Sequence, residues 1–188
     1  SLKMIKPIAT NYKGLISCSG PTRSGKSQLA EFLFKEKNLV TYIATSKPRP
    51  DDPEWQQRID IHRRRRPNSW SIIENPNDIC GVIESIRENE SVLIDSLGGL
   101  VEDHLKQDNY QWNIFQKKLL KCLTADKLCI VVVSEEVGWG IVPATPVGHL
   151  FRERHSTLMS LISKHSKKRW LAINGIAIDL DMIGNQIP

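Results

Sequence analysis

The stretch GPTRSGKS, residues 20–27, satisfies G-x-x-x-x-G-K-[ST] in full. It follows an apolar run and opens a helical pattern, the context that motif requires. Its chemistry is the holding of phosphate. Gly20 and Gly25 let the backbone wrap closely around phosphate oxygens, because no Cβ obstructs it. Free N–H groups and the helix dipole favour negative charge there. Lys26 brings a cation to the β- and γ-phosphates, and Ser27 offers a hydroxyl to Mg²⁺. Pro21, Thr22, Arg23 and Ser24 form the body of the loop. Asp95 ends the apolar run SVLID, the place for an acid that holds the metal. A strand-end aspartate capping the next helix is the plainer alternative.

A second pattern lies at RIDIHRRRRP, residues 58–67. On a helix, Arg58, His62, Arg65 and Arg66 fall on one side, while Trp55 and Ile59 mark a neighbouring face able to pack down. Guanidiniums grip phosphate in a fork geometry. They also favour the neutral imidazole, which is the nucleophilic form. Such an imidazole, attacking an α-phosphate, gives a covalent nucleotidyl-histidine. A solvated basic helix face and a nucleic-acid patch fit the same spacing.

The elements that must position these residues follow from periodicity. GLISCS (14–19), LVTYIAT (39–45), SVLID (91–95) and LCIVVVS (128–134) read as buried strands, with WSIIE as a short one. RWLAING and IAIDL give two final strands joined by a tight turn. Helices are expected over about 53–66, 77–89, 97–107, 110–124 and 147–166, besides the one after the phosphate loop. Asp52 and Pro53 start the second helix and Pro67 stops it. In the last helix Val147, Leu150, Phe151, Leu158, Leu161 and Ile162 are expected to face the core. Strands alternating with helices predict an α/β fold, a mostly parallel sheet with helices on both faces. One domain spans 1–188, and 1–13 reads as an extension or processing remnant.

Bulk composition narrows the field. Of 188 residues, 40% are hydrophobic and 25% charged, and the net charge is +5. That suits a soluble domain with an anionic partner, nucleotide or nucleic acid. The longest apolar run, LCIVVV, is too short to span a bilayer. Cys18, Cys80, Cys122 and Cys129 form no C-x-x-C pair, and they read as small core residues of a reducing compartment. The five histidines show no metal-ligand spacing. No RNA-binding motif accompanies the basic clusters, so no nucleic-acid partner is expected.

Together these motifs resemble one family, the bifunctional adenosylcobinamide kinase/adenosylcobinamide-phosphate guanylyltransferases of cobalamin assembly. GPTRSGKS resembles its Walker A, YIATS its second strand, and VLIDSL its Walker-B strand. RIDIHRRRRP resembles its R-I-x-x-H-x-x-x-R-P element, and EVGWGIVP (136–143) its E-V-G-x-G-I-V-P loop. The resemblance implies a P-loop NTPase with a RecA-like sheet. It implies phosphorylation of adenosylcobinamide by ATP or GTP, then transfer of GMP from GTP through His62, giving adenosylcobinamide-GDP. Lys26 and Glu136 join His62 as catalytic candidates. Thr45, Arg58, Arg66 and Glu74 join the loop residues as nucleotide-binding candidates, and Ser27 and Asp95 hold Mg²⁺. A cytoplasmic homotrimer with a mobile histidine helix is also implied. Three departures stand out. Glu135 and Asp103 occupy positions where the family usually has Asn. Across residues 145–163, Phe151 and Arg152 match and Glu153 keeps an acid, but the arginine, glycine and Asn-Gln positions are gone. These bear on the substrate side, and they leave a P-loop kinase or nucleotidyltransferase of another small molecule as the alternative.

Overall fold

The computed structural model describes residues 1–188. The strands are β1 (Gly14–Gly20), β2 (Val40–Ala44), β3 (Ser71–Glu74), β4 (Ser91–Asp95), β5 (Cys129–Glu135), β6 (Lys168–Ile173) and β7 (Ile176–Asp179). They form one sheet in the order β3-β2-β4-β5-β1-β6-β7. All neighbours run parallel except β6 and β7. The β6–β7 turn places Asn174 at φ 50 and Gly175 at φ 76, the left-handed pair that a two-residue hairpin turn requires.

The helices are α1 (Lys26–Leu33), α2 (Pro53–Arg65), α3 (Ile79–Ser85), α4 (Leu97–Asp103), α5 (Asn109–Leu123), α6 (Pro146–His165) and the short α7 (Leu180–Ile183). Successive strand side chains point to opposite faces, so the apolar runs feed two cores. Leu15, Ile43, Val92, Ile94, Ile130 and Val132 meet α3, α4, α5 and α6 on one face. Ile16, Cys18, Tyr42, Leu93, Val131 and Val133 meet Leu29, Ala30, Leu33, Phe34 and Trp70 on the other. This explains why the strands are apolar at every position rather than at alternate ones. The four cysteines are free and buried.

Several boundaries differ from the periodic reading. The helix expected over 97–107 stops at Asp103, and that over 77–89 spans only Ile79–Ser85. Asp108 caps α5 in a reciprocal box with Gln111, a local start signal. In α6, Leu158 and Ile162 are buried as expected, but Val147 is 62% exposed. Arg154 and His155 are buried instead. Arg154 is tolerated there because it donates to His104 O (2.9 Å) and Gln107 O (2.8 Å), so its charge is hydrogen-bonded rather than stranded. At the N-terminus, Ile5, Ile8 and Tyr12 pack on the second core, and Lys37 Nζ donates to Thr10 O at 3.0 Å.

Register sets up the site. Ala44 pairs with Asp95, and Gly20 with Glu135. The carboxyl ends of β1, β2, β4 and β5 therefore share one edge, where open parallel sheets take their ligands.

Candidate active site

The phosphate loop leaves β1 and enters α1 through Gly25, at φ 95. A Cβ on Gly20 would sit 2.5 Å from Ala172 O and from Ser24 Oγ, so this position admits only glycine. The amides of Thr22, Arg23, Gly25, Lys26 and Ser27 find no backbone acceptor. Unpaired donors at a helix start form an anion site. Lys26 Nζ curls back to Pro21 O at 3.2 Å. The loop is braced from the far end of the chain, where Gly175 N donates to Ser24 O at 2.8 Å.

Beside the loop lies a cleft of about 250 Å³. Lys26, Ser27, Arg58, His62, Arg66, Glu74 and Asp95 all line it. Sequence spacing thus brought seven candidate residues from four elements into one place. Asp95 accepts from Tyr42 Oη at 2.6 Å. Burial drives the Asp95 carboxyl above its ordinary range, against the pull of the Tyr42 hydroxyl. Arg66 lies over the Tyr42 ring, its Cζ 3.9 Å from the centroid, and its Nε donates to His62 O at 3.0 Å. Arg66 Nη1 is buried without a hydrogen-bond partner.

The histidine helix α2 starts as the sequence indicated, with the Asp52 side chain accepting from Glu54 N and Trp55 N. It differs in packing: none of its residues is fully buried. Trp55 and Ile59 line the cleft rather than a core. Three arginines of this segment diverge in use. Arg66, just past the helix, stacks on Tyr42. Arg65 pairs with Glu31 of α1, its Nε 3.3 Å from Glu31 Oε2. Arg58 faces the cleft.

Two candidates stand elsewhere. Thr45 is buried, and its Oγ1 is tied to the Ser96 peptide, accepting from Ser96 N at 2.8 Å and donating to Ser96 O at 2.5 Å. Those two bonds orient the chain after Asp95. Glu136 is outside the cleft lining, and its amide donates to Gly20 O at 2.9 Å. Burial raises its carboxyl. Glu135 lines the cleft in its place, accepting from Ser96 Oγ at 2.5 Å. His155 Nε2 approaches Glu135 Oε2 at 3.5 Å. Burial pushes the Glu135 carboxyl up, but His155 and Ser96 together hold it below the ordinary range. Asp103 pairs with Lys47 at 3.5 Å and, with the Asn75 amide turned to donate, takes that group at 2.9 Å. Arg152 holds the 136–143 loop by donating to Gly138 O at 3.2 Å.

Reasoning from sequence missed Tyr42, Glu31 and Glu135. Tyr42 and Glu31 carry no motif signal, because their partners lie far along the chain. Glu135 differs from Glu136 by one position, and only strand register separates them.

Comparisons with known proteins bear on the fold and on the family. In fold, the chain is similar to an ATPase of the type III secretion system of pathogenic bacteria, at TM-score 0.53 and 9% identity, covering 93% of this chain and 59% of that one. It is similar to the KaiC-like protein PH0186 of Pyrococcus horikoshii, at TM-score 0.50 and 10% identity, covering 87% and 72%. In sequence, it is 32% identical over 164 residues to the bifunctional adenosylcobalamin biosynthesis protein CobP of Pseudomonas aeruginosa, covering 86% of this chain and 94% of the relative. It is 29% identical over 181 residues to the corresponding CobU protein of Escherichia coli, covering 88% and 99%. The family model for cobinamide kinase / cobinamide phosphate guanyltransferase matches residues 16–180. On that match, which takes in the phosphate loop, the histidine helix and Asp95 alike, the chain belongs to the cobinamide kinase / cobinamide phosphate guanyltransferase family.

Proposed function

We propose that this one cleft runs both reactions of the family on adenosylcobinamide, with His62 carrying GMP in the second. The observation that carries the reading is that His62 and Lys26 line the same cavity. A phosphate chain held by the loop would share that cavity with the imidazole.

In the kinase step, the substrate hydroxyl attacks the γ-phosphorus of ATP or GTP. Its proton leaves to solvent or base, the bond from Pγ to the β-bridging oxygen breaks, and the nucleoside diphosphate departs. Catalysis here is mainly positioning and charge neutralisation. The loop amides and Lys26 hold the phosphates, and Arg58 and Arg66 neutralise charge from the opposite wall. In the guanylyl step, neutral His62 attacks the α-phosphorus of GTP. A P–N bond forms, the Pα–O bond to the leaving group breaks, and pyrophosphate departs. The corrinoid phosphate then attacks the same phosphorus, the P–N bond breaks, and adenosylcobinamide-GDP leaves.

Ser27 and Asp95 would hold Mg²⁺. A hard cation that keeps water and phosphate oxygens needs only one or two protein oxygens, and a hydroxyl with a buried carboxylate fits that donor set. When bound, the ion neutralises phosphate charge. No cluster of three or more His, Cys, Asp or Glu offers another metal site. No helix is long and apolar enough to cross a membrane. The reading includes a cytoplasmic homotrimer. The exposed apolar run Trp139, Ile141, Val142 and Val147 supports contact between copies.

The test is intact-protein mass after incubation with GTP and Mg²⁺, beside His62→Ala. A GMP adduct is expected on the parent and none on the variant. GTP binding without an adduct on the parent would leave a kinase alone.

A further inference from the structure

Glu31 lies one helical turn after Ser27 on α1, so the helix that binds phosphate presents both side chains on one face. The Glu31 side chain is only 11% exposed. Its Oε1 stands 3.7 Å from His62 Nδ1 and 3.3 Å from Arg65 Nη2. Arg65 Nη2 in turn lies 2.9 Å from His62 Nδ1. Glu31 is the one carboxylate within 4 Å of the imidazole.

These contacts decide which ring nitrogen is able to attack. Arginine donates and never accepts. While Arg65 donates to Nδ1, that nitrogen is blocked and the ring proton sits on Nε2. Neither nitrogen then has a free lone pair. An imidazole that attacks through Nε2 must carry its proton on Nδ1, and an acceptor beside Nδ1 sets that tautomer. Arg65 and Glu31 therefore compete for one atom, and only Glu31 yields a nucleophile.

We propose that Glu31 is the positioning residue for nucleotidyl transfer, accepting the Nδ1 proton of His62 so that Nε2 faces the α-phosphorus. The inference rests on His62 being the GMP carrier. As the Nε2–P bond forms and the Pα–O bond breaks, the ring becomes a cation, and the proton stays on Nδ1 beside the Glu31 carboxylate. The buried carboxylate stabilises that cation. When the corrinoid phosphate displaces His62, the electron pair returns to Nε2 and the proton has not moved. Helix α1 thereby serves both ends of the nucleotide, binding phosphate at its first turn and preparing the acceptor one turn later.

A structural role is the competing account: Glu31 would simply clamp α2 to α1 through Arg65. Single-turnover adduct formation at saturating GTP and Mg²⁺ separates the two, read by mass in the parent, Glu31→Gln, Glu31→Asp and Arg65→Met. A glutamine keeps a single acceptor oxygen; with Arg65 holding that oxygen, its NH₂ turns to Nδ1 and favours the wrong tautomer. Glu31→Gln is expected to slow adduct formation on the order of 100-fold, with GTP affinity and kinase turnover within about twofold of the parent. Glu31→Asp keeps the charge and should retain most of the rate, and so should Arg65→Met, which frees Nδ1 for the carboxylate. Adduct formation by Glu31→Gln at the parent rate, or an equal loss in Arg65→Met, would falsify the positioning role alone. A parent that binds GTP yet forms no adduct overturns the carrier reading as well.

Discussion

At the residue scale, the site is organised around groups whose charge is set by burial. Asp95 is the clearest. Burial raises its carboxyl, and the Tyr42 hydroxyl opposes that by favouring the ionised form. Tyr42→Phe removes the opposing hydrogen bond, so the Asp95 pKa rises further. The acid limb of the kinase pH profile is therefore expected to move to higher pH, with turnover on the acid side of that limb falling about tenfold for each unit moved. An unmoved acid limb would show that Asp95 does not govern that limb. Much of this level was legible in the sequence, because Lys26, Ser27 and Asp95 belong to short contiguous patterns. The direction of Thr45 was not legible, because a strand-end threonine at the site edge looks the same whether it faces ligand or backbone. Here its hydroxyl is consumed by the Ser96 peptide.

At the element scale, α2 carries His62 on a helix that buries nothing fully and is fastened by a few polar contacts. Elements with few buried apolar contacts open at low free-energy cost. Its N-cap then matters more than it would in a packed helix. Asp52→Ala removes the acceptor for two amides and is expected to destabilise the helix by about 1 kcal/mol. GMP adduct formation should fall severalfold and kinase turnover by less, while Tm stays near the parent value. A kinase loss equal to the adduct loss would instead make α2 integral to the phosphate site. The cap, the proline after it and the stop at Pro67 were all readable, since capping is local chemistry. The direction that α2 faces was not, because Trp55 and Ile59 line a cleft that other elements complete.

At the scale of the whole molecule, the sheet was legible and the covering of α6 was not. Alternation of apolar strands with helices leaves little choice but a parallel sheet with two covered faces. The α6 periodicity pointed to Val147 and Phe151; Phe151 packs against the core and Val147 is exposed, while the helix also buries Arg154 and His155, whose partners come from the segment after α4 and from β5. Arg154→Ala would leave two carbonyls without their charged donor, a loss of about 3 kcal/mol. That corresponds to a fall in Tm of roughly 6–12 °C for a chain of this size, with catalysis at low temperature preserved. A smaller fall would mean water replaces the guanidinium. The order of the strands has a further consequence, for the time course of synthesis. β1 is made first, yet its sheet neighbours are β5 and β6, and the brace on its phosphate loop comes from Gly175. At the usual pace of translation the roughly 150 residues between Ser24 and that brace take about 8–30 s to emerge. Throughout that interval the loop already exists as sequence but has no scaffold to hold its shape. The nascent chain thus acquires its grip on nucleotide only when nearly all of it has left the ribosome, and a product truncated before the last hairpin is left with the loop's residues and without their brace.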